Sequence, residues 1–169
     1  MIAGSGSLTV NANYNNGITG KDALFIQKAS VTVTAVNHGI NGKDSLTIKD
    51  ADITVTSGGD ALRSTNDSDT TLGYLVITGS ALKLTAGEDG IQAETTLTIS
   101  GGTATVTTAG GAGQSISDDT SAKGLKAGTQ VTVTGGTFQL NCCDDAIHSN
   151  GDVTISGGSF TIATGDDGM

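Results

Sequence analysis

The amino-acid sequence predicts an all-β fold, a right-handed parallel β-helix (solenoid) of about six 22-residue coils. Three observations predict it: a small residue followed by an aliphatic one recurs along the chain, apolar residues alternate in two short runs between these pairs, and Gly makes up 26 of 169 residues. A fixed period of this length is the signature of stacked repeats. The recurring pairs, here called the anchors, are Gly17-Ile18, Gly39-Ile40, Ala61-Leu62, Gly90-Ile91, Gly124-Leu125, Ala146-Ile147 and Gly168-Met169.

Each repeat is predicted to hold two strands and a short third one at the anchor. The first strand shows two-residue alternation, as at Leu24 and Ile26, and the second repeats it, as at Val31 and Val33. This spacing is that of a strand and not of a helix. Pairs such as Gly101-Gly102 separate the two strands and supply the positive φ that a tight corner needs. Right-handed crossing is the default for parallel strands, which gives the predicted hand.

The anchors lie 22, 22, 29, 34, 22 and 22 residues apart. The two long intervals contain polar insertions, near residues 64–74 and 107–123. Residues 1–169 are therefore predicted to form a single β-helix domain. Repeats reach both ends without a distinct cap, so the chain is predicted to be a fragment, or an uncapped unit of a longer or stacking protein.

Charge excludes several classes of partner. The chain carries 17 acidic and 8 basic residues, a net charge of −9, and no basic stripe. Such a surface repels nucleic acid and anionic lipid. There is also no apolar stretch that could span a membrane. An acidic domain rich in Thr, Gly and Asn is expected outside the cell or at its surface, with the leader not present in this chain.

Acidic residues collect just before the anchors, and their register predicts bound calcium. Asp144-Asp145 and Asp166-Asp167 are 22 residues apart, so they are expected to lie over one another. Stacked carboxylates roughly 4.8 Å apart repel by about 3 to 4 kcal/mol at an effective dielectric of ~20. Ca²⁺ takes six to eight oxygen ligands and would remove this repulsion. The alternative is that these are solvated turn residues, since Asp is common in turns.

A second calcium site is predicted where the second insertion folds back onto the repeat before it. Its ligands would be Glu88, Asp89, Asp118 and Asp119. For zinc there is little support, because the chain has two cysteines and two distant histidines. The cysteines are adjacent, Cys142-Cys143, and either a strained vicinal disulfide or a reduced pair is compatible with the sequence.

The segment from Asp144 to Gly158, which reads DDAIHSNGDVTISGG, resembles the repeated sequence motif of a bacterial family. That family comprises calcium-binding, carbohydrate-binding β-helix proteins related to pectate lyases. Weaker copies, such as Glu88-Asp89-Gly90-Ile91, extend the resemblance over most of the chain. The resemblance implies a right-handed parallel β-helix, Ca²⁺ bound by the Asp pairs before the anchors, and affinity for cell-wall polysaccharides such as pectic acid or cellulose.

The function predicted from these observations is non-catalytic, calcium-dependent binding of a pectic or cellulosic polysaccharide. The chain has no Trp and two Tyr, so Tyr74 beside the first insertion, Arg63 and Asn141 are the candidate sugar contacts. The main alternative is a filament or adhesin that stacks end to end through its regular Thr faces. A calcium-dependent polysaccharide lyase, with Arg63 or Lys126 as the base, is a third and less favoured hypothesis.

Overall fold

The computed structural model describes residues 1–117 and 119–169. In this part of the chain, no helix combines the length and the apolar character that a membrane crossing requires. The described residues form strands β1 (Ile2–Ala3), β2 (Ser7–Ala12), β3 (Ile18–Gly20), β4 (Ala23–Gln27), β5 (Ser30–Ala35), β6 (Ile40–Gly42), β7 (Ser45–Lys49), β8 (Asp52–Ser57), β9 (Leu62–Ser64), β10 (Tyr74–Thr78), β11 (Ala81–Ala86), β12 (Ile91–Ala93), β13 (Thr96–Thr108), β14 (Leu125–Ala127), β15 (Gln130–Cys142), β16 (Ile147–Ser149), β17 (Asp152–Ile155) and β18 (Ser159–Thr164).

The strands pair in parallel and belong to two sheets. The larger sheet has 12 strands in two branches, one containing β1, β4, β7 and β10 and the other β2, β5, β8 and β11. The long strands β13 and β15 join the branches, and β17 and β18 both pair with β15. The smaller sheet has six strands in the order β16-β14-β12-β9-β6-β3, and it contains the anchors.

The register follows the sequence repeat. Leu24 pairs with Leu46, Leu46 with Leu75, and Leu75 with Leu97. The step from Leu46 to Leu75 contains the first insertion, yet the strands on either side stay aligned. The insertions therefore leave the sheets as loops and do not shift the pairing.

The core lies between the inner faces of the two sheets. Along β5 the side chains alternate between exposed and buried, with Val31 and Val33 almost completely buried. Phe138 and Phe160 stack in the core with ring centroids 4.6 Å apart and planes 9° from parallel. Alternation of this kind buries an apolar stripe from every strand and leaves the Thr-rich face in solvent.

The predicted architecture, a right-handed β-helix of about six like coils, is wrong. The strand pairing divides the chain into a curled 12-stranded sheet and a second, six-stranded sheet. The reason lies in β13 and β15, which run for 13 residues each through positions where the sequence predicts a corner between two strands. Positive φ at Gly101, Gly102 and Gly136 bends these strands and interrupts their register, but the pairing of β13 with β15 resumes at Thr103, so each strand belongs to both branches.

Candidate functional site

The outer face of the six-stranded sheet carries one polar side chain per strand. Each short strand has a partly exposed middle residue, as Arg63 is between the buried residues Leu62 and Ser64. The middle residues of neighbouring strands are direct register partners. Together they form a line, here called the polar row: Thr19, Asn41, Arg63, Gln92, Lys126 and His148.

The two insertions stand on either side of the middle of this row and enclose a cleft of about 500 Å³. Arg63, Gln92 and Lys126 form its floor, on strands β9, β12 and β14. The complete lining is Asp60, Arg63, Thr65, Asp67, Glu88, Asp89, Gln92, Glu94, Asp119, Thr120, Ser121 and Lys126. Six of these residues are acidic and two are basic, so the cleft is strongly negative and wholly polar.

The first insertion is held to the body by Asn66. This side chain is buried and donates from Nδ2 to Asp44 Oδ1 at 2.7 Å. Its Oδ1 accepts from the backbone N–H groups of Ser68 and Asp69, both at 3.1 Å. Three hydrogen bonds to one buried amide fix the start of the loop, so this wall of the cleft is defined before any ligand arrives.

The second insertion is fixed at both of its ends. Near its start, the backbone N–H of Ala112 donates to Asn141 Oδ1 at 2.9 Å. Near its end, the Thr108 hydroxyl donates to the carbonyl of Ala122, and the Ser121 hydroxyl donates to Asp89 at 2.6 Å. The opposite wall of the cleft is therefore held to the sheet by hydrogen bonds to side chains of the strands and turns beneath it.

Asp89 is the central contact beneath the cleft. Its side chain is 4% exposed, and three donors surround it. Oδ1 accepts from Ser121 Oγ at 2.6 Å and from the backbone N–H of Lys123 at 2.8 Å, while Oδ2 accepts from Lys126 Nζ at 2.8 Å. One carboxylate thus joins the sheet, the second insertion and the polar row.

The residues just before the anchors have a structural role that explains much of their acidity. Except at Lys123, whose ammonium can only donate, the side chain accepts a hydrogen bond from the backbone N–H of the equivalent residue one repeat later. This acceptor ladder satisfies turn N–H groups that the strand pairing leaves without a carbonyl. Its contacts are Asn16 Oδ1 with His38 N (3.2 Å), His38 Nδ1 with Asp60 N (3.0 Å), Asp60 Oδ1 with Asp89 N (3.1 Å), Asp89 Oδ1 with Lys123 N (2.8 Å) and Asp145 Oδ1 with Asp167 N (3.2 Å).

Asp60 also belongs to a charged group at the edge of the cleft. Arg63 Nη1 donates to Asp60 Oδ2 at 3.1 Å and lies 2.6 Å from Nε2 of His38. Single ligand atoms of His38, Asp60 and Glu88 lie within 4.8 Å of one another. The sequence predicts Glu88 as a calcium ligand, but two of its neighbours here are a nitrogen donor and an arginine-bound carboxylate. Calcium prefers oxygen ligands, so this set is a poor match for it.

The predicted calcium turn does bring its acids together. One carboxylate oxygen from each of Asp144, Asp145 and Asp166 lies within 4.8 Å of the others. Asp167 contributes its backbone, because its N–H donates to Asp145 and its carbonyl accepts from the N–H of Ala146. The side chains of Asp166 and Asp167 are exposed.

Lys123 occupies the middle of this turn. Its Nζ donates to Asp144 Oδ1 at 2.8 Å and to Asp145 Oδ2 at 2.7 Å. Burial raises the pKa of Asp144, but the hydrogen bond from Lys123 and those from two backbone N–H groups outweigh it, and the pKa falls below its usual value. For Lys123, burial lowers the pKa, but the hydrogen bonds and charges of its two carboxylate partners raise it by more. The net shift of the Lys123 pKa is therefore upward. Both charges are thereby stabilised.

The remaining predicted residues are dispersed. Asp119 lies in the lining of the cleft with Glu88 and Asp89, as the second predicted site requires, whereas Asp118 lies outside the described residues. Tyr74 begins β10 and does not line the cleft, and Asn141 anchors the second insertion. Of the three predicted sugar contacts, Arg63 alone reaches the cleft.

Gln92 and Lys123 are site residues that the sequence pattern did not indicate. Gln92 could have been found, because it follows its anchor at the same distance as Arg63 and Lys126 follow theirs. The role of Lys123 had a weaker signal: a base stands where the neighbouring repeats have Asp89 and Asp145. Which carboxylates it meets depends on the path of the second insertion, and the repeat pattern contains no information about that path.

The two adjacent cysteines are buried free thiols. Burial raises the pKa of the Cys142 thiol to about 11, against a hydrogen bond with Thr108 that lowers it. A thiol protonated at neutral pH and enclosed by the core is neither a nucleophile nor a metal ligand. Cys142 is therefore a packing residue.

A model of the family described as carbohydrate-binding domain-containing protein matches residues 1–168. Among curated proteins and among solved structures, none matches the chain. The match spans both sheets, both insertions and the cleft between them.

Proposed function

Because the chain belongs to the family of carbohydrate-binding domain-containing proteins, we propose that it binds a polysaccharide in the cleft, along the polar row, without cleaving it. The observation that carries this proposal is the alignment of Arg63, Gln92 and Lys126 on three adjacent strands between two fixed walls. Adjacent strands are roughly 4.8 Å apart, which is close to the length of one pyranose ring in an extended glycan. A glycan running across the strands would therefore meet one polar side chain per sugar.

Recognition in this cleft would depend on hydrogen bonds rather than stacking. Its lining contains amide, hydroxyl, ammonium, guanidinium and carboxylate groups but no aromatic ring among the described residues. Sugar hydroxyls both donate and accept, so a mixed set of carboxylates and bases suits them. Glu94 and Gln92, two residues apart on the same face, offer an acceptor and a donor side by side.

Charge supports one of the two classes of glycan predicted from the sequence. Six acidic and two basic residues line the cleft, and Arg63 and Lys126 already contact Asp60 and Asp89. A uronate chain would bring further negative charge to this surface, at a cost that only a bridging cation could offset. We therefore favour a neutral, cellulose-like glycan over pectic acid. A cell-wall polymer of this kind places the domain at the cell surface or outside the cell.

A lyase activity is disfavoured by the same contacts. β-Elimination needs a base that is free to take a proton from the sugar. Arg63 and Lys126, the candidate bases, are each held by a buried carboxylate. The two carboxylates instead hold the guanidinium and ammonium groups in position to donate hydrogen bonds to a sugar, which supports a binding function.

The proposal is tested by retention on insoluble cellulose and on polygalacturonate, each with Ca²⁺ and with EGTA. In the double variant Gln92→Ala/Lys126→Met, two hydrogen bonds of about 0.5 to 1.5 kcal/mol each are lost, so retention should weaken about 5- to 140-fold. Lys83→Met is the matched control, because Lys83 lies exposed on β11 and outside the cleft. Equal loss in both variants, or none in either, would exclude the cleft as the binding site.

The same assay tests two further predictions, calcium dependence and lyase activity. Calcium dependence would appear as retention that EGTA abolishes, and a lyase would release unsaturated uronate from polygalacturonate. End-to-end stacking is tested separately, by sedimentation over a range of protein concentrations. Assembly into fibres with no retention on any glycan would favour the structural alternative.

A further inference from the structure

The Asp144–Asp145 turn differs from the other acidic turns in the origin of its cation. Asp60 and Asp89 are paired with Arg63 and Lys126, which come from the polar row. Asp144 and Asp145 are paired instead with Lys123, which occupies the position just before an anchor, where Asp60, Asp89 and Asp145 stand in other repeats. Lys123 thus stands at a position that is acidic in other repeats, and its ammonium group pairs with both carboxylates of the next repeat.

All four carboxylate oxygens of Asp144 and Asp145 already have donors. Asp144 Oδ1 accepts from Lys123 Nζ and from the N–H of Asp145, and Oδ2 accepts from the N–H of Ala122 at 3.3 Å. Asp145 Oδ1 accepts from the N–H of Asp167, and Oδ2 accepts from Lys123 Nζ and lies 3.0 Å from Nδ1 of His148. A divalent cation that bound Asp144 Oδ1 or Asp145 Oδ2 would have to displace the Lys123 ammonium.

The ammonium group is also well enclosed. The side chains of Lys123, Asp144 and Asp145 are 15%, 15% and 12% exposed, so little water competes for these contacts. A divalent cation entering the turn would lie within a few ångströms of the ammonium, and two positive charges at that distance repel strongly at low dielectric. Asp166 is the one exposed acid of the group, and a single carboxylate binds Ca²⁺ weakly.

We propose that Lys123 is a built-in counter-ion that takes the place of a divalent cation in this turn, so that the turn binds Ca²⁺ only when Lys123 is removed. The proposal goes beyond carbohydrate binding and does not depend on it. It assigns to one lysine the compensation of stacked acids that the sequence analysis assigned to calcium. The acids that remain after its removal, from Asp144, Asp145 and Asp166, are hard oxygen ligands within 4.8 Å of one another.

The test compares the wild type, Lys123→Gln and Lys123→Arg in calorimetric Ca²⁺ titrations and in thermal unfolding with Ca²⁺ or EGTA. Wild type and Lys123→Arg, which keep the positive charge, should unfold at the same temperature in both solutions. Lys123→Gln should gain a binding isotherm, and its Tm should rise by about 5 to 10 °C when free Ca²⁺ is about 100 times its Kd. In Lys123→Gln/Asp144→Asn, this gain should be lost.

Two results would overturn the proposal. One is a wild-type calcium response that Asp144→Asn abolishes, because the lysine would then not exclude the ion. The other is a folded Lys123→Gln variant that shows no calcium response. If Lys123→Gln does not fold without calcium, the wild-type titration still decides, and refolding of the variant by Ca²⁺ would support the proposal.

Discussion

Removal of the Asp89 charge should destabilise the protein through one identifiable contact. In Asp89→Asn the amide oxygen can keep the two bonds that Oδ1 makes, to Ser121 Oγ and to the N–H of Lys123. The amide nitrogen then replaces Oδ2 and faces Lys126 Nζ, donor against donor. A hydrogen bond to a charged group contributes about 1.5 to 3 kcal/mol, and Lys126 is 29% exposed and can turn to water, so we expect the lower half of that range.

Asp89→Ala should cost more, because all three donors lose their acceptor. Removing one member of a buried charged pair costs about 3 to 5 kcal/mol. The difference between the Ala and Asn variants therefore measures the bonds to the Lys123 N–H and the Ser121 hydroxyl, and it should be about 2 kcal/mol.

Urea unfolding followed by circular dichroism measures these free energies, and a double-mutant cycle with Lys126→Met isolates the ion pair. We expect a coupling of about 1 to 2 kcal/mol between Asp89 and Lys126. A coupling near zero would show that Lys126 does not depend on Asp89. Equal stabilities of the Asn and Ala variants would show that Asp89 does not hold the second insertion.

Three further predictions concern packing and ionisation. Gly90→Ala should lower the free energy of unfolding in urea by about 1 to 3 kcal/mol, because the new Cβ would overlap Val106 Cγ1. Adding Val106→Ala should recover part of this loss. Additive losses from the two substitutions would refute the contact. Cys142, whose pKa burial raises to about 11, should resist alkylation at pH 8 except through unfolding, and rapid labelling detected by mass spectrometry would contradict this. The pKa of Asp144 lies below its usual 3.8 when the protein is folded, so its ion pair should stabilise the protein above pH 4 and be lost on acidification. Lys123→Gln should therefore flatten the fall in stability at acid pH. An unchanged fall in that variant would contradict the pairing.

Much of the strand pairing was predictable from the sequence, since two-residue alternation and the anchors specify which residues align. Leu75 pairs with Leu46 and Leu97, and the 29-residue step before it does not disturb this. The continuity of β13 was not predictable, because a Gly-Gly pair can end a strand or bend it. Only the backbone pairing on either side of Gly101 and Gly102 decides between these outcomes, and here it shifts register at the two glycines and resumes at Thr103.

The site was predictable in part. Arg63 and Asp119, which both lie at an insertion or beside one, are in the lining of the cleft, while the sugar-binding and metal-binding roles proposed for them stay predictions. The assignment of Asn141 to sugar binding could not anticipate that its amide would hold the second insertion. The acids before the anchors have the composition of a metal site, yet Asp60, Asp89 and Asp145 each accept a backbone N–H from the next repeat. The sequence pattern predicts where each carboxylate lies along the repeat. It does not predict which hydrogen-bond donor that carboxylate contacts.

The acceptor ladder gives the stack a direction. Each side-chain acceptor belongs to an earlier repeat than the N–H it receives, from Asn16 at one end to Asp145 at the other. During synthesis an ordered N-terminal repeat can therefore present its acceptor before the donor has left the ribosome. Loss of the last repeat would leave a carboxylate that water can solvate, whereas loss of an earlier one would leave buried N–H groups unsatisfied. We therefore expect the ladder contacts to favour ordering of an earlier repeat before the next one along the chain.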